Sequence, residues 1–254
     1  MKLNFQKYGE GPPLVILHGL FGMLDNWHTV SKMLSANFRV FAVDQRNHGR
    51  SPHSDEFDFH LLAQDIQSFL QEQGIHSANI LGHSMGGKTA MWVALRAPEL
   101  VDKLIVVDIA PRAYDSLHDE ILSALTSLEL QRFSSRNAID AALATKVPDG
   151  AVRQFLMKNL ARDDNGSYRW KMNLPVIAKN YGRILEGIES KSSFKKNCLF
   201  IRSRKSSYIR DQDIPEIKRL FPNSSFAEFD TGHWVHAEAP DQLTKTVTEF
   251  ILKN

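Results

Sequence analysis

The sequence predicts an α/β protein with a mostly parallel central sheet, flanked by helices and interrupted by one helical insertion. Three observations carry this. Short continuous apolar runs recur, such as Leu14-Val15-Ile16-Leu17 and Leu104-Ile105-Val106-Val107, as in strands buried on both faces of a parallel sheet. Amphipathic helical stretches alternate with them, which favours right-handed, helix-covered crossovers. Between residues 111 and 196 that alternation stops and no convincing strand can be read.

Taken in order, residues 3–8 alternate apolar and polar and read as an edge strand. The turn Gly9-Glu10-Gly11-Pro12-Pro13 leads into the apolar run 14–17, which ends at His18-Gly19-Leu20-Phe21-Gly22. Asp25 or Asn26 can cap a helix carrying Trp27, Val30, Met33 and Leu34. A strand over 38–43 ends in Asp44-Gln45-Arg46-Asn47-His48-Gly49-Arg50-Ser51. The amphipathic helix 59–73 is stopped by Gly74. A strand through Ala78-Asn79-Ile80-Leu81 is followed by a helix to about Pro98, and another strand spans 103–109. The insertion holds helical stretches near 116–128, 136–146, 150–160 and 174–188, with a polar turn at Arg162-Asp163-Asp164-Asn165-Gly166. The sheet resumes over 197–202, followed by a helix over 214–221, a strand over 225–229 and a final helix over 241–252. Residues 1–110 and 197–254 thus form one core domain. Residues 111–196 are expected to be a cap over its active edge, an insertion and not an independent domain.

The chain has 254 residues, 43% hydrophobic and 24% charged, with a net charge of +2. This is ordinary for a globular protein and gives no reason to expect a nucleic-acid partner. No apolar run approaches the roughly 18 residues of a membrane span. The opening Met1-Lys2-Leu3-Asn4 turns polar too soon for a signal peptide. The lone Cys198 lies in an apolar run and reads as a buried strand residue, so no intrachain disulfide forms. A reducing, cytoplasmic setting fits. The chemistry below requires no metal or organic cofactor, and the expected partner is a small molecule bound by a monomer or small homo-oligomer.

Ligands in α/β sheets sit beyond the carboxyl ends of the strands, and the polar motifs fall there. Gly82-His83-Ser84-Met85-Gly86 runs from strand to helix, and its glycines allow the sharp turn that exposes a serine hydroxyl. Helix-opening N–H groups beside it have no intrahelical partner and can face a developing anion. A serine needs a base within reach. His233 in Gly232-His233-Trp234 is the first candidate, His236 the second, and His83 reads as structural. A carboxylate should hold the other imidazole nitrogen, and Asp108 ends the strand after the serine strand. The backbone N–H groups of Leu20 and Met85 are the expected oxyanion hole, with Phe21 as the alternative to Leu20. Asp44 and Arg46 read as an ion pair bracing the loops.

These motifs resemble the α/β-hydrolase-fold serine hydrolases. Within them the chain is similar to the small ybfF-type bacterial esterases and to abhydrolase domain-containing protein 11. The resemblance rests on the His18–Gly22, Asp44–Ser51 and Gly82–Lys88 segments and on Val107-Asp108-Ile109-Ala110-Pro111. Tyr168-Arg169-Trp170 with Asn173, and Gly232-His233-Trp234-Val235-His236, complete it. It implies hydrolysis of short- to medium-chain acyl esters and sometimes of acyl-CoA thioesters. Many such hydrolases carry the acid after the first strand beyond the cap. Here that loop offers Ser203, Ser206 and Ser207, with Asp211 and Asp213 several residues late. The ybfF-type proteins resemble this chain in having an aspartate where Asp108 stands, so Asp108 is the expected acid and Asp211 the alternative. The basic run from Lys191 to Arg210 reads as a solvated face or, alternatively, as an attractor for coenzyme A phosphates.

A haloalkane dehalogenase or epoxide hydrolase would need an aspartate in place of Ser84. A cofactor-free perhydrolase or haloperoxidase activity would use the same three residues. A non-catalytic ligand-binding protein of this fold is the rival from another class.

Overall fold

The computed structural model describes residues 1–254 except Leu117 and Asn254. In chain order, β1 (Phe5–Tyr8), β2 (Pro13–Leu17), α1 (His28–Leu34) and β3 (Arg39–Val43) come first. Then follow α2 (Phe59–Glu72), β4 (Ala78–His83), α3 (Met85–Arg96) and β5 (Val101–Val107). Between β5 and the next sheet strand lie α4 (Asp119–Thr126), α5 (Arg136–Ala144), α6 (Gly150–Met157), β6 (Leu160–Arg162), β7 (Tyr168–Trp170), α7 (Leu174–Lys179) and α8 (Tyr181–Leu185). The chain closes with β8 (Cys198–Ser203), α9 (Ile214–Leu220), β9 (Ser224–Phe229), α10 (Val235–Glu238) and α11 (Pro240–Leu252).

The main sheet runs β1-β3-β2-β4-β5-β8-β9. Only β1 is antiparallel, pairing with β3 in the register Phe5↔Val43. Strand alternation sends successive side chains to opposite faces. Val15, Leu17, Ile80, Val106 and Phe200 pack beneath Ile66 and Phe69 of α2, Met91 of α3 and Ile217 of α9. Leu14, Ile16, Leu81, Ile105 and Ile201 face Val30 and Leu34 of α1 and Leu243 and Val247 of α11. Asp58 caps α2 by accepting from the Leu61 N–H. At its other end Gly74 has φ +64° while the Ile75 N–H closes onto the Leu70 carbonyl, an αL stop as expected.

The insertion departs from expectation in two respects. It contains a hairpin, β6–β7, with Leu160 opposite Trp170. The turn at 163–166 was legible, and Gly166 takes φ +83° there. Its two three-residue strands are too short to show a period. The expected helix 174–188 is two helices broken at Asn180, whose side chain returns to the Val176 carbonyl and so competes with helix continuation. The expected helix 116–128 is α4, and Leu117 within that span lies outside the described residues. Among the described residues, no helix is long and apolar enough to cross a membrane.

Asp44 and Arg46 do not pair with each other, contrary to expectation. Asp44 accepts from the Leu24 N–H, the Asn4 amide and the Arg50 N–H. Arg46 forks onto buried Asp65 of α2, Nη2 to Oδ1 at 2.9 Å. The loop turns back at Asn47 (φ 63°) and Gly49 (φ 57°), which aims the two side chains at different partners.

The β4–α3 turn is the tightest approach of backbones near the site. A Cβ on Gly82 would sit 2.1 Å from the Gly86 carbonyl oxygen. Gly82→Ala should destabilise the fold by about 3 kcal/mol. Gly182→Ala, in helix α8 with nothing within 4 Å of the added carbon, should be neutral or stabilise by about 0.5–1 kcal/mol. Urea unfolding midpoints of the two variants measure the contrast.

Candidate active site

Ser84 stands between β4 and α3 with φ 53° and ψ −122°. An L-residue reaches that conformation only under tertiary constraint. The Ser84 N–H donates to the Val107 carbonyl at 3.1 Å, and its own carbonyl receives the Gly87 and Lys88 N–H groups. Among the described residues its hydroxyl has no hydrogen-bond partner. It opens instead on a cavity of about 380 Å³ that His233 also lines.

Asp108 follows β5 at φ 50° and is fully buried. Its N–H prolongs the pairing with β8 by donating to the Ile201 carbonyl. His233 Nδ1–H donates to Asp108 Oδ2 at 2.8 Å. Ser206 Oγ–H donates to the same oxygen at 2.6 Å, and the Ser203 N–H reaches Oδ1 at 3.1 Å. The serines read as a missing acid are thus donors to an acid arriving from the neighbouring strand. Their part was invisible in sequence because it depends on a contact across 98 residues. Asp211 lies elsewhere: its side chain is 84% exposed and pairs with Arg202. Asp213 is buried against Arg112.

The other face of His233 is set by Tyr208, whose ring stacks on it with centroids 3.9 Å apart and 14° between planes. Burial pushes the Tyr208 phenol up to about 12, so it stays neutral. His83 is the expected structural residue. Its Nε2–H donates to the His233 carbonyl at 2.8 Å, and burial holds it well below the usual histidine range. His236 is not beside Asp108. It stacks on Trp27 at 4.6 Å, and burial lowers it to about 3.

Two further histidines shape the loop after β2. His18 accepts the Gln45 N–H at Nε2 and donates from Nδ1 to the Gly19 carbonyl. His48 accepts the Phe21 N–H at Nε2, 3.3 Å, and donates from Nδ1 to the Arg46 carbonyl. Each ring uses one nitrogen as donor and one as acceptor, which only the neutral form can do. Burial agrees, lowering His18 to about 4 and His48 to about 3. Phe21, at φ 59°, therefore spends its N–H on His48. Among the described residues, the Leu20 and Met85 N–H groups remain without acceptors, and both residues border Ser84 in a second, smaller cavity. No local pattern marks the roles of His18 and His48.

Lys88, one turn into α3, is buried and donates to the Leu185 and Glu186 carbonyls. Burial lowers its ammonium to about 7. In the basic run 191–210, Arg204 pairs with Glu228 at 3.2 Å, Lys205 with Asp230 at 3.1 Å and Arg202 with Asp211 at 2.5 Å. Among the described residues, Lys191, Lys195, Lys196 and Arg210 make no ion pair with a carboxylate. Among the described residues, no three His, Cys, Asp or Glu side chains converge as a metal site would require. The arrangement offers a serine, an imidazole oriented by a buried carboxylate, and two free N–H groups, a set suited to acyl transfer.

Comparison with known proteins agrees. The sequence profile of the alpha/beta hydrolase fold family matches residues 12–240. The chain is 36% identical to the sn-1-specific diacylglycerol lipase ABHD11 of Xenopus laevis over 95% of its own length and 80% of that protein. It is 33% identical to Esterase YbfF of Escherichia coli K12, covering 99% of both. The solved structure of a marine microorganism esterase superposes with a TM-score of 0.96 at 41% identity, covering 98% of this chain and 99% of that one.

The buried histidines make stability depend on pH. Unfolded, each ring takes up a proton below about 6.5. Folded, they stay neutral down to about 4 for His18 and about 3 for His48 and His236. The unfolded chain binds more protons in this window, so stability should fall as pH drops below 6.5, by about 1 kcal/mol per pH unit per ring. Denaturation at pH 7.5, 6, 5 and 4 measures the slope, and His236→Gln should make it shallower by one ring's share.

Proposed function

The chain belongs to the α/β hydrolase fold family, and on that footing we propose that it is a serine carboxylesterase working through an acyl-enzyme. The observation that carries the reading is the buried Asp108–His233 pair facing the Ser84 cavity, with the Leu20 and Met85 N–H groups unspent beside it. Ser84 is the nucleophile, His233 the base and Asp108 the acid, while Leu20 and Met85 supply the oxyanion hole.

His233 Nε2 takes the Ser84 hydroxyl proton as Oγ attacks the ester carbonyl. The new C–O bond pushes the carbonyl electrons onto oxygen, where the two N–H groups meet them. Asp108 keeps Nδ1 protonated and stabilises the imidazolium. The intermediate collapses by breaking the bond to the leaving oxygen, which receives its proton from Nε2. Water, deprotonated by the same nitrogen, attacks the acyl-enzyme, and release of the acid returns the proton to Ser84. Residues 111–196 act as a cap: His118, Ile121, Val152 and Phe155 wall the cavity over Ser84.

The substrates are small acyl esters. A cytoplasmic setting remains part of this reading, carried by the single buried Cys198.

Stopped-flow hydrolysis of a p-nitrophenyl ester tests the assignment. Wild type should show a burst of about one p-nitrophenol per site. Ser84→Ala should abolish the burst and lower kcat by about a million-fold. Asp108→Asn should cost about ten-thousand-fold, whereas Asp211→Asn should stay within about two-fold, as exposed substitutions usually do. Equal rates in Ser84→Ala and wild type would point to a ligand-binding protein of this fold.

A further inference from the structure

Two cavities meet at Ser84 and differ in size by nearly an order of magnitude. The larger, about 380 Å³, extends past His233 toward Phe155, Trp234 and Val152. The smaller, about 40 Å³, lies on the α3 side, walled by Met85, Ile109, Tyr181, Ile184 and Leu185 and by Lys88. Ser84, Leu20, His118 and Tyr208 border both. His233 borders only the larger, and Met85 only the smaller.

This partition orients a substrate. The tetrahedral carbon carries Ser84 Oγ, an oxyanion, the leaving oxygen and the acyl chain. The leaving oxygen must receive a proton from His233 Nε2, so the alcohol portion lies on the side that His233 borders. The oxyanion lies between the Leu20 and Met85 N–H groups. Those two residues border the smaller cavity at Ser84, and with the His233 side taken by the leaving oxygen the acyl chain continues beyond the oxyanion into that cavity.

We propose that the 40 Å³ cavity is the acyl-binding subsite and restricts this protein to short acyl groups, acetyl to butyryl, while the larger cavity takes a bulky apolar alcohol. The proposal rests on the serine-esterase reading above. A space of 40 Å³ holds about three water-sized groups, so a longer chain would have to displace the wall. That wall is anchored. Ile184 is buried in the apolar cluster that joins the insertion to Phe21, Phe59 and Met85 of the core. Lys88 ties the carbonyls of Leu185 and Glu186 to α3, and the Tyr114 N–H donates to the Leu185 carbonyl at 2.9 Å. The larger cavity has aromatic walls, with Phe155 and Trp234 rings 5.5 Å apart. Ile184 and Leu185 are therefore the acyl-length determinants, and Phe155 an alcohol determinant.

Two ester series read the two cavities separately: p-nitrophenyl acetate through octanoate, and acetates of methanol, butanol and 1-naphthol. For wild type, kcat/KM should peak between acetate and butyrate and fall at least about 30-fold by octanoate, while the acetate series should favour the naphthyl ester. Ile184→Ala and Leu185→Ala should each move the acyl optimum out by one or two carbons and keep the alcohol ranking. Phe155→Ala should do the reverse. A wild-type optimum at hexanoate or longer would overturn the assignment even if neither wall variant folds. So would Ile184→Ala or Leu185→Ala reordering the alcohols with the acyl profile unmoved. Ester hydrolysis unaffected by Ser84→Ala would instead remove the reading beneath it.

Discussion

The close approach of β2, β4 and α3 is the constraint on which the site depends. Ser84 can sit at φ 53° because Gly82 and Gly86 carry no side chain. A Cβ on Gly86 would lie 2.3 Å from the Leu17 carbonyl oxygen. The turn is pinned at both ends, by the Ser84 N–H on Val107 and by the Gly87 N–H on the Ser84 carbonyl. The four described non-glycine residues with positive φ are Phe21, Asn47, Ser84 and Asp108. They follow the carboxyl ends of β2, β3, β4 and β5. Backbone strain of roughly 1–3 kcal/mol per residue is thus gathered along one edge of the sheet. The two apolar layers behind that edge hold it in place.

The carboxylate illustrates how neighbouring parallel strands exchange duties. β5 and β8 pair in register, Val107 opposite Ile201, and paired strands lie only about 4.8 Å apart. An acid at the end of β5 therefore reaches the same imidazole as one at the end of β8 would. The loop after β8 then becomes a donor set. Ser206 shares Oδ2 with His233 and the Ser203 N–H takes Oδ1, and a buried charge needs such partners. Tyr208 from the same loop supports the ring face of His233. One loop thus supplies the acid's hydrogen bonds and the base's platform.

The histidines divide in a way their sequence positions do not announce. His18, His48, His83 and His236 are buried. Burial keeps His18 and His48 neutral as struts between backbone groups. The polarity of those struts matters: His48 takes the Phe21 N–H and leaves that of Leu20 open. His233 differs from them chiefly in its partner, the one carboxylate at Nδ1. A histidine's role here follows from what its second nitrogen meets, and that is a tertiary fact.

Local sequence determined much of this protein. Apolar runs of strand length, amphipathic spacing in 59–73, and glycines on either side of Ser84 act within a few residues, so the core elements, the nucleophile turn and the candidates Ser84, His233 and Leu20 were legible. So was Asp108 as a strand-end residue, with the family resemblance choosing it over Asp211. What only the tertiary structure decided depends on groups far apart in the chain. Arg46 meets Asp65 and not Asp44, because the loop's positive-φ residues turn the two side chains apart. The hairpin at 160–170 forms from strands too short to carry a period and is recognisable only once paired. The supporting serines and the neutral histidine struts arise between loops along the sheet edge, and the division of the pocket at Ser84 arises where insertion and sheet edge meet. No local pattern encodes them, because each is a contact between surfaces that exist only after the chain has folded.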